Sequence, residues 1–186
     1  MSDTAPARMT SDEFIAWAMK QPEDRHYELA AGEVVAMAAE RSAHALTKSR
    51  IWRRLADAIE AARLPCDVYP DGMAVEIDAY TVYEPDALVR CGSPLPEDAV
   101  KLTDPMIVLE VLSPSTRARD SGAKLADYFR LPSVRHYLIA RTEDRVVIHH
   151  ARNEDGTILT RIIRSGPVTL DPPGIVLVDL FPAARQ

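Results

Sequence analysis

The stretch Met106-Ile107-Val108-Leu109-Glu110-Val111-Leu112 constrains this chain more than any other: it is a continuous apolar run of strand length that carries one acid. A strand with one wet face alternates apolar and polar residues, so an unbroken run reads as a central strand covered on both faces. An unpaired carboxylate is costly to bury. Glu110 therefore has to be ion-paired, protonated or bound to a cation.

The rest of the chain suffices for one such layered domain. Its 186 residues can bury a full core but are too few for two ordinary domains, so residues 1–9 read as a flexible leader and residues 10–186 as a single domain. With 47% hydrophobic and 27% charged residues the composition is that of a globular protein, not a fibre or a disordered tail. Apolar runs such as Met106 to Leu109 and Ile175 to Val178 fall far short of the roughly 18 residues that span a bilayer, so no membrane partner is expected. Met1 to Arg8 has one basic residue and no apolar core behind it, unlike a secretory leader. Cys66 and Cys91 lack ligand-like spacing; the expectation is two isolated buried thiols in a reducing, cytoplasmic compartment, with a lone disulfide as the alternative. A formal net charge of −6 argues against a broadly basic nucleic-acid coat. It leaves room for a nuclease, since metal-binding acids add negative charge and phosphate contact needs only one basic face.

Local signals punctuate the chain clearly. Thr10 or Ser11 caps a short helix whose first turn holds Asp12 and Glu13 and whose apolar face is Phe14, Trp17 and Ala18. His26 to Ala30 and Glu33 to Met37 flank Ala31-Gly32, a hairpin turn. A long helix follows over about Ser42 to Arg63, burying Trp52, Leu55, Ile59 and Ala62. Its Lys48, Arg50, Arg53 and Arg54 read either as a solvated surface or as a phosphate-contacting strip. Strands are expected over Cys66 to Tyr69, Met73 to Ile77 and Tyr80 to Val89, then over the Glu110 run. A second helix, Arg119 to Leu131, turns Leu125, Tyr128 and Phe129 inward. Strands Val134 to Ala140, Arg145 to His150, Thr157 to Ile163 and Val168 to Leu170 complete the pattern, and the apolar tail Gly174 to Phe181 docks. The fold class is α/β, as an α+β mixed sheet flanked by helices.

Three positions carry the candidate chemistry: Glu110, Asp86 entering another apolar stretch after Pro85, and Lys124 on the second helix. Two carboxylates on adjacent strands would hold a hard cation such as Mg²⁺, and a nearby ammonium would orient a water or offset phosphoryl charge. Each also has a plainer reading: Glu110 as an ion-paired core acid, Asp86 as a turn residue, and Lys124 as a helix partner of Asp120 four residues earlier. Spacing alone leaves a metal site and a buried ion-pair network both open.

Tyr27-Glu28-Leu29 with Gly32-Glu33, His44 opening a helix, Pro85-Asp86, and Glu110-Val111-Leu112-Ser113-Pro114-Ser115-Thr116 followed by Asp120, Lys124 and Tyr128 stand in an order that resembles the Uma2 family, also known as DUF820. The resemblance runs from about Phe14 to His149. It implies a restriction-endonuclease-like fold of the PD-(D/E)XK type, here with an N-terminal helix and β-hairpin, in which Asp86 is the acid of the first motif and Glu110 the acid of the second. The lysine of the wider superfamily lies two residues after that acid, where this chain has Leu112; the resemblance offers Lys124 instead. His136-Tyr137-Leu138 departs from the family's usual acid followed by Tyr-Trp and reads as a packing variation.

What the resemblance implies is an endonuclease that hydrolyses phosphodiester bonds of nucleic acid, most simply DNA. Asp86, Glu110 and the Val111 carbonyl would hold Mg²⁺ or Mn²⁺, and Lys124 would position the water. Glu28, His44 and Asp120 are secondary candidates, Glu28 as a further acid or an outward hairpin charge, His44 as a phosphate contact or a cap. Ser113 and Ser115 have no neighbouring base and read as turn residues. Gly32, Gly72 and Gly122 form no phosphate cradle, so no nucleotide cofactor is expected. A homodimer would suit two cuts in a duplex. The alternatives are a catalytically inactive nuclease-like scaffold that binds nucleic acid or a protein partner, and a structural oligomer with ion-paired acids.

Overall fold

The computed structural model describes residues 8–22, 24–112 and 121–181. In chain order these form α1 (Ser11–Ala18), the hairpin β1 (Tyr27–Ala30) and β2 (Glu33–Ala36), and α2 (Ser42–Ala61). Next come β3 (Cys66–Pro70), β4 (Ala74–Asp78), β5 (Thr81–Tyr83), β6 (Ala87–Cys91), β7 (Lys101–Leu102) and β8 (Ile107–Leu112). After α3 (Ser121–Tyr128) follow β9 (His136–Arg141), β10 (Val146–Arg152), β11 (Ile158–Ile163), β12 (Val168–Leu170) and β13 (Ile175–Leu177).

The apolar run around Glu110 is β8, and it lies inside a six-stranded mixed sheet of order β11-β10-β9-β8-β6-β3. Only β8 and β9 run parallel in it, and α3 lies between them in the chain, as a crossover connection requires. Both faces are covered, which is why the run has no polar alternation. Ile107, Leu109 and Val111 pack with Ile51, Leu55 and Ile59 of α2 and with the β12–β13 hairpin. Val108 points the other way, into a cluster with Tyr128, Leu131 and residues of a second sheet, order β2-β1-β5-β4-β7. The apolar tail docks as expected, with Ile175, Leu177 and Leu180 buried.

The local signals explain the boundaries. Thr10 and Glu13 form a reciprocal capping box on α1. Ala31 and Gly32 both adopt positive φ, 50° and 87°, as a two-residue hairpin turn of the favoured hand demands.

Several expectations need correction. Tyr80 to Val89 is not one strand: it breaks at Glu84-Pro85-Asp86 into β5 and β6, which belong to different sheets. Pro85 has no N–H to donate to a ladder, so the chain changes sheets there. On α2 the buried stripe is Thr47, Ile51, Leu55 and Ile59, while Ala62 is exposed. Met9, which the sequence reading puts in the leader, is buried, and its N–H donates to the Gly32 carbonyl. Cys66 and Cys91 are half-buried cross-strand partners on β3 and β6 joined in a disulfide, not two buried thiols. That pairing removes their support for a reducing compartment. Residues Ser113 to Asp120 lie outside the described residues. No helix among the described residues is long and apolar enough to cross a membrane.

Candidate metal and phosphoryl-transfer site

The break at Pro85 delivers Asp86 to the start of β6, next to β8. Ala87 pairs with Leu109 in antiparallel register, so one further step sets Asp86 opposite Glu110. Both acids are buried, at 5% and 6% exposure. Asp86 accepts the Val111 backbone N–H through Oδ2 at 2.6 Å. Its carboxyl is pushed up to about 7, first by burial and then by the negative charge of Glu110, against the pull of the Val111 N–H, His44 and Lys48.

Lys124 reaches this centre from α3. Its Nζ lies 2.7 Å from Glu28 Oε1 and 3.0 Å from Glu110 Oε1, and it is itself buried. Lys124 thus ties β1 to β8, one strand from each large sheet. Burial works to lower the Lys124 pKa, but Glu110 and Glu28 outweigh it and hold the ammonium above its ordinary value. Tyr128, one turn further along α3, donates its hydroxyl to the same Glu110 Oε1 at 3.0 Å. Glu28 faces inward, not into solvent, and accepts the Glu84 N–H. Its carboxyl is raised by burial, with Lys124 opposing and Glu110 adding to the shift.

The first turns of α2 supply a second group of side chains. His44 Nε2 donates to the Val111 carbonyl at 2.6 Å and lies 3.7 Å from Asp86 Oδ2. With Nε2 as the donor, a neutral His44 carries its lone pair on Nδ1. That atom is buried without a hydrogen bond, 3.6 Å from Glu40 Oε2. Lys48 pairs with Glu40 and Asp71 and sits 3.6 Å from Asp86 Oδ1. Burial works against the Lys48 charge, but its hydrogen bonds to Asp71 and Glu40, helped by Asp86, keep its pKa above the ordinary lysine value. A cleft of about 520 Å³ with Arg25, His26, Met37, Glu40 and Asp71 in its wall opens beside this group.

The donor set suits a hard divalent cation. Asp86, Glu110 and the Val111 carbonyl offer oxygen ligands, which Mg²⁺ and Mn²⁺ favour. His44, Glu40 and Asp86 form the metal-capable group found among the described residues, with ligand atoms all within 4.8 Å. Glu40 was missed by sequence reasoning; its place four residues before His44 was the available signal. Tyr128 was read only as core, although Lys124-x-x-x-Tyr128 places both on one helix face. Three of the four cationic residues of α2 have partners: Arg50 donates to the Asp179 carbonyl, Arg54 pairs with Asp57 and Asp179, and Lys48 turns to the acids, while Arg53 is exposed. Asp120 lies outside the described residues.

Comparison with known proteins fixes the family. Residues 11–181 match the family model Uma2, described as "Putative restriction endonuclease". The chain belongs to the Uma2 family. A crystal structure from Anabaena variabilis, described as "a putative nuclease belonging to DUF820", superposes with a TM-score of 0.67 at 18% identity, covering 88% of this chain and 90% of that one. Likeness at that identity establishes the shared fold. The uncharacterized protein slr1290 of Synechocystis is 27% identical over 158 residues, 83% of this chain and 80% of its own length. Uma2 membership sets the chain among nuclease-type proteins.

Proposed function

We propose that this Uma2 protein is a Mg²⁺- or Mn²⁺-dependent endonuclease that cuts phosphodiester bonds of nucleic acid, with DNA as the substrate and a homodimer as the working form. The observation that carries the reading is the crowding of Asp86 against Glu110, two buried acids on adjacent strands with one carboxyl raised to about 7. Such crowding is costly in the empty protein and is relieved by a divalent cation. Asp86, Glu110 and the Val111 carbonyl would hold that cation. When bound, it would supply Lewis acidity toward a phosphoryl oxygen and a more acidic water.

The chain's own residues set the rest. Lys124 remains charged at neutral pH, so it serves as a donor and a positive charge, not as a base; its place beside Glu110 lets it orient an attacking water in line with the scissile bond. Tyr128 fixes the Glu110 carboxylate, and Val111 fixes Asp86. His44, held by the Val111 carbonyl and 3.7 Å from Asp86, stands one turn before Lys48 on α2 and offers a contact toward a phosphate.

One observation favours the second reading, a non-catalytic nuclease-like scaffold. Among the described residues the Lys124 ammonium pairs with two acids, Glu28 and Glu110, and lies over the Tyr83 ring, an arrangement that needs no substrate. Calorimetric titration with Mn²⁺ tests the proposal against it. The wild type should bind, and Asp86→Asn and Glu110→Gln should each lose most of the heat while keeping the native circular dichroism. Binding undiminished in both variants places the cation elsewhere and ends the reading.

A further inference from the structure

Strand β11 has the makings of an interface. It is the outer strand of the six-stranded sheet, and among the described residues no strand pairs with its free edge. Its register with β10 runs unbroken from Val147↔Ile163 to Arg152↔Ile158, with no bulge. The strand reads Ile158-Leu159-Thr160-Arg161-Ile162-Ile163: no proline, no acid, four aliphatic residues. Ile158, Leu159 and Ile162 are 37%, 41% and 65% exposed. Proteins protect a free edge with bulges, prolines or charged side chains, lysine above all, because unpaired N–H and C=O groups recruit another strand. Of these guards β11 carries one, Arg161, and it has no bulge and no proline.

We propose that β11 is the contact between two copies of this chain, paired antiparallel about a dyad at Thr160 and joining two six-stranded sheets edge to edge. Symmetry selects the register. A dyad normal to the sheet keeps every side chain on its own face, so it must pass through a residue paired with its own copy. Centring on Thr160 sets Ile158 opposite Ile162 of the second copy, and Ile162 opposite Ile158, so the most exposed aliphatic residue of the strand gains an aliphatic partner. It also sets Arg161, the sole charge of the strand, opposite Leu159, whose side chain can pack on the guanidinium stem. Centring on Arg161 would bring two guanidinium groups face to face. Centring on Leu159 would leave Ile162 opposite Gly156, and centring on Ile162 would leave Ile158 opposite Gly166, each beyond the strand.

The same face is already shaped on the β10 side. Ile148 and His150 pair with Ile162 and Thr160, and His150 Nδ1 lies 2.8 Å from Thr160 Oγ1, which pins the residue at the centre of the dyad. Ile148 packs into the cluster around Tyr137 and Val108. The Ile158–Ile162 pairs would thus extend an existing core across the dyad. This surface does not depend on the nuclease reading.

Site-directed cross-linking under mild oxidation tests the register directly, because the chain's two cysteines are already joined to each other. Thr160→Cys should form a covalent dimer at least tenfold faster than Ile162→Cys, which meets Ile158 instead of itself. The double variant Ile158→Cys/Ile162→Cys should cross-link as fast as Thr160→Cys. Light scattering on the wild type should give twice the chain mass, and Ile162→Glu, a change at an exposed position, should give the single-chain mass with unchanged circular dichroism. A wild type that stays monomeric at all accessible concentrations overturns the proposal. So does a dimer that survives Ile162→Glu and leaves Thr160→Cys uncross-linked.

Discussion

Lys124 Nζ stands 2.7 Å from Glu28 Oε1 and 3.0 Å from Glu110 Oε1, so one buried ammonium holds an acid from each of the two large sheets. Removing it strands two buried carboxylates. Lys124→Ala should therefore cost about 3–5 kcal/mol of stability at neutral pH. Losing the ammonium removes the charge that opposes the raised pKa of Glu28, and a raised acid penalises the folded state only at pH values above its unfolded pKa. The deficit should shrink toward zero as pH falls to about 4. Urea unfolding at pH 5 and pH 8 checks both statements; a pH-independent deficit contradicts them.

Asp86 makes a related prediction for the unmodified chain. Its folded-state carboxyl titrates near 7, well above the usual aspartate value, with burial and Glu110 as the causes. The folded state therefore loses stability as pH rises from about 4 to 7, by an amount on the order of a few kcal/mol. Asp86→Asn retains an acceptor for the Val111 N–H and removes the charge. It should be more stable than wild type at pH 8 and closer to it at pH 5, in the absence of divalent cations. Equal pH profiles for the two proteins would exclude a raised Asp86.

Tyr128→Phe deletes the hydroxyl that fixes Glu110 Oε1 and little else, since the ring is wholly buried. A loss of about 1–2 kcal/mol is expected from denaturant unfolding. Because the hydroxyl orients a proposed ligand, Mn²⁺ affinity should fall several-fold as well. A variant that loses stability but binds Mn²⁺ as tightly as wild type would limit Tyr128 to a packing role.

The disulfide between Cys66 and Cys91 closes a loop with a sequence separation of 25 residues. Loop closure of that size contributes about 3 kcal/mol. The native protein should show no thiols reactive to a disulfide reagent until it is reduced, and Cys66→Ser/Cys91→Ser should unfold at lower denaturant by about that amount. Two titratable thiols in the purified protein would contradict the pairing.

Much of this architecture is legible in the sequence because hydrophobic period and turn chemistry are local. The unbroken run at Glu110 announces a strand buried on both faces, and Ala31-Gly32 announces the hairpin that positions Glu28. What escaped reading depends on contacts between distant segments. Pro85 marks a break, but nothing local says that β5 and β6 join different sheets, and that change of sheet is what brings Asp86 opposite Glu110. The pairing of Cys66 with Cys91 follows from the β3–β6 register, which spacing does not reveal. Glu40 looks like an ordinary loop acid until α2 brings His44 to the Val111 carbonyl. The cationic residues of α2 share a helix surface in the sequence, yet tertiary partners at Asp71 and Asp179 divide them. The resemblance to Uma2 supplied Lys124, which periodicity alone would have left as a surface lysine paired with Asp120.

The central claim is that Asp86, Glu110 and Lys124 form a working phosphodiesterase site, and nicking of supercoiled plasmid tests it most directly. Wild type, Lys124→Ala and Asp86→Asn, purified identically and confirmed as folded, are compared with Mg²⁺, with Mn²⁺ and with chelator. Metal-dependent nicking by the wild type is predicted, reduced in each variant by a factor on the order of 10² or more, as expected when a transition-state charge contact or a metal ligand is lost. The same trace activity in all three proteins, or cleavage that survives the chelator, would contradict the account and leave the nuclease-like scaffold in its place.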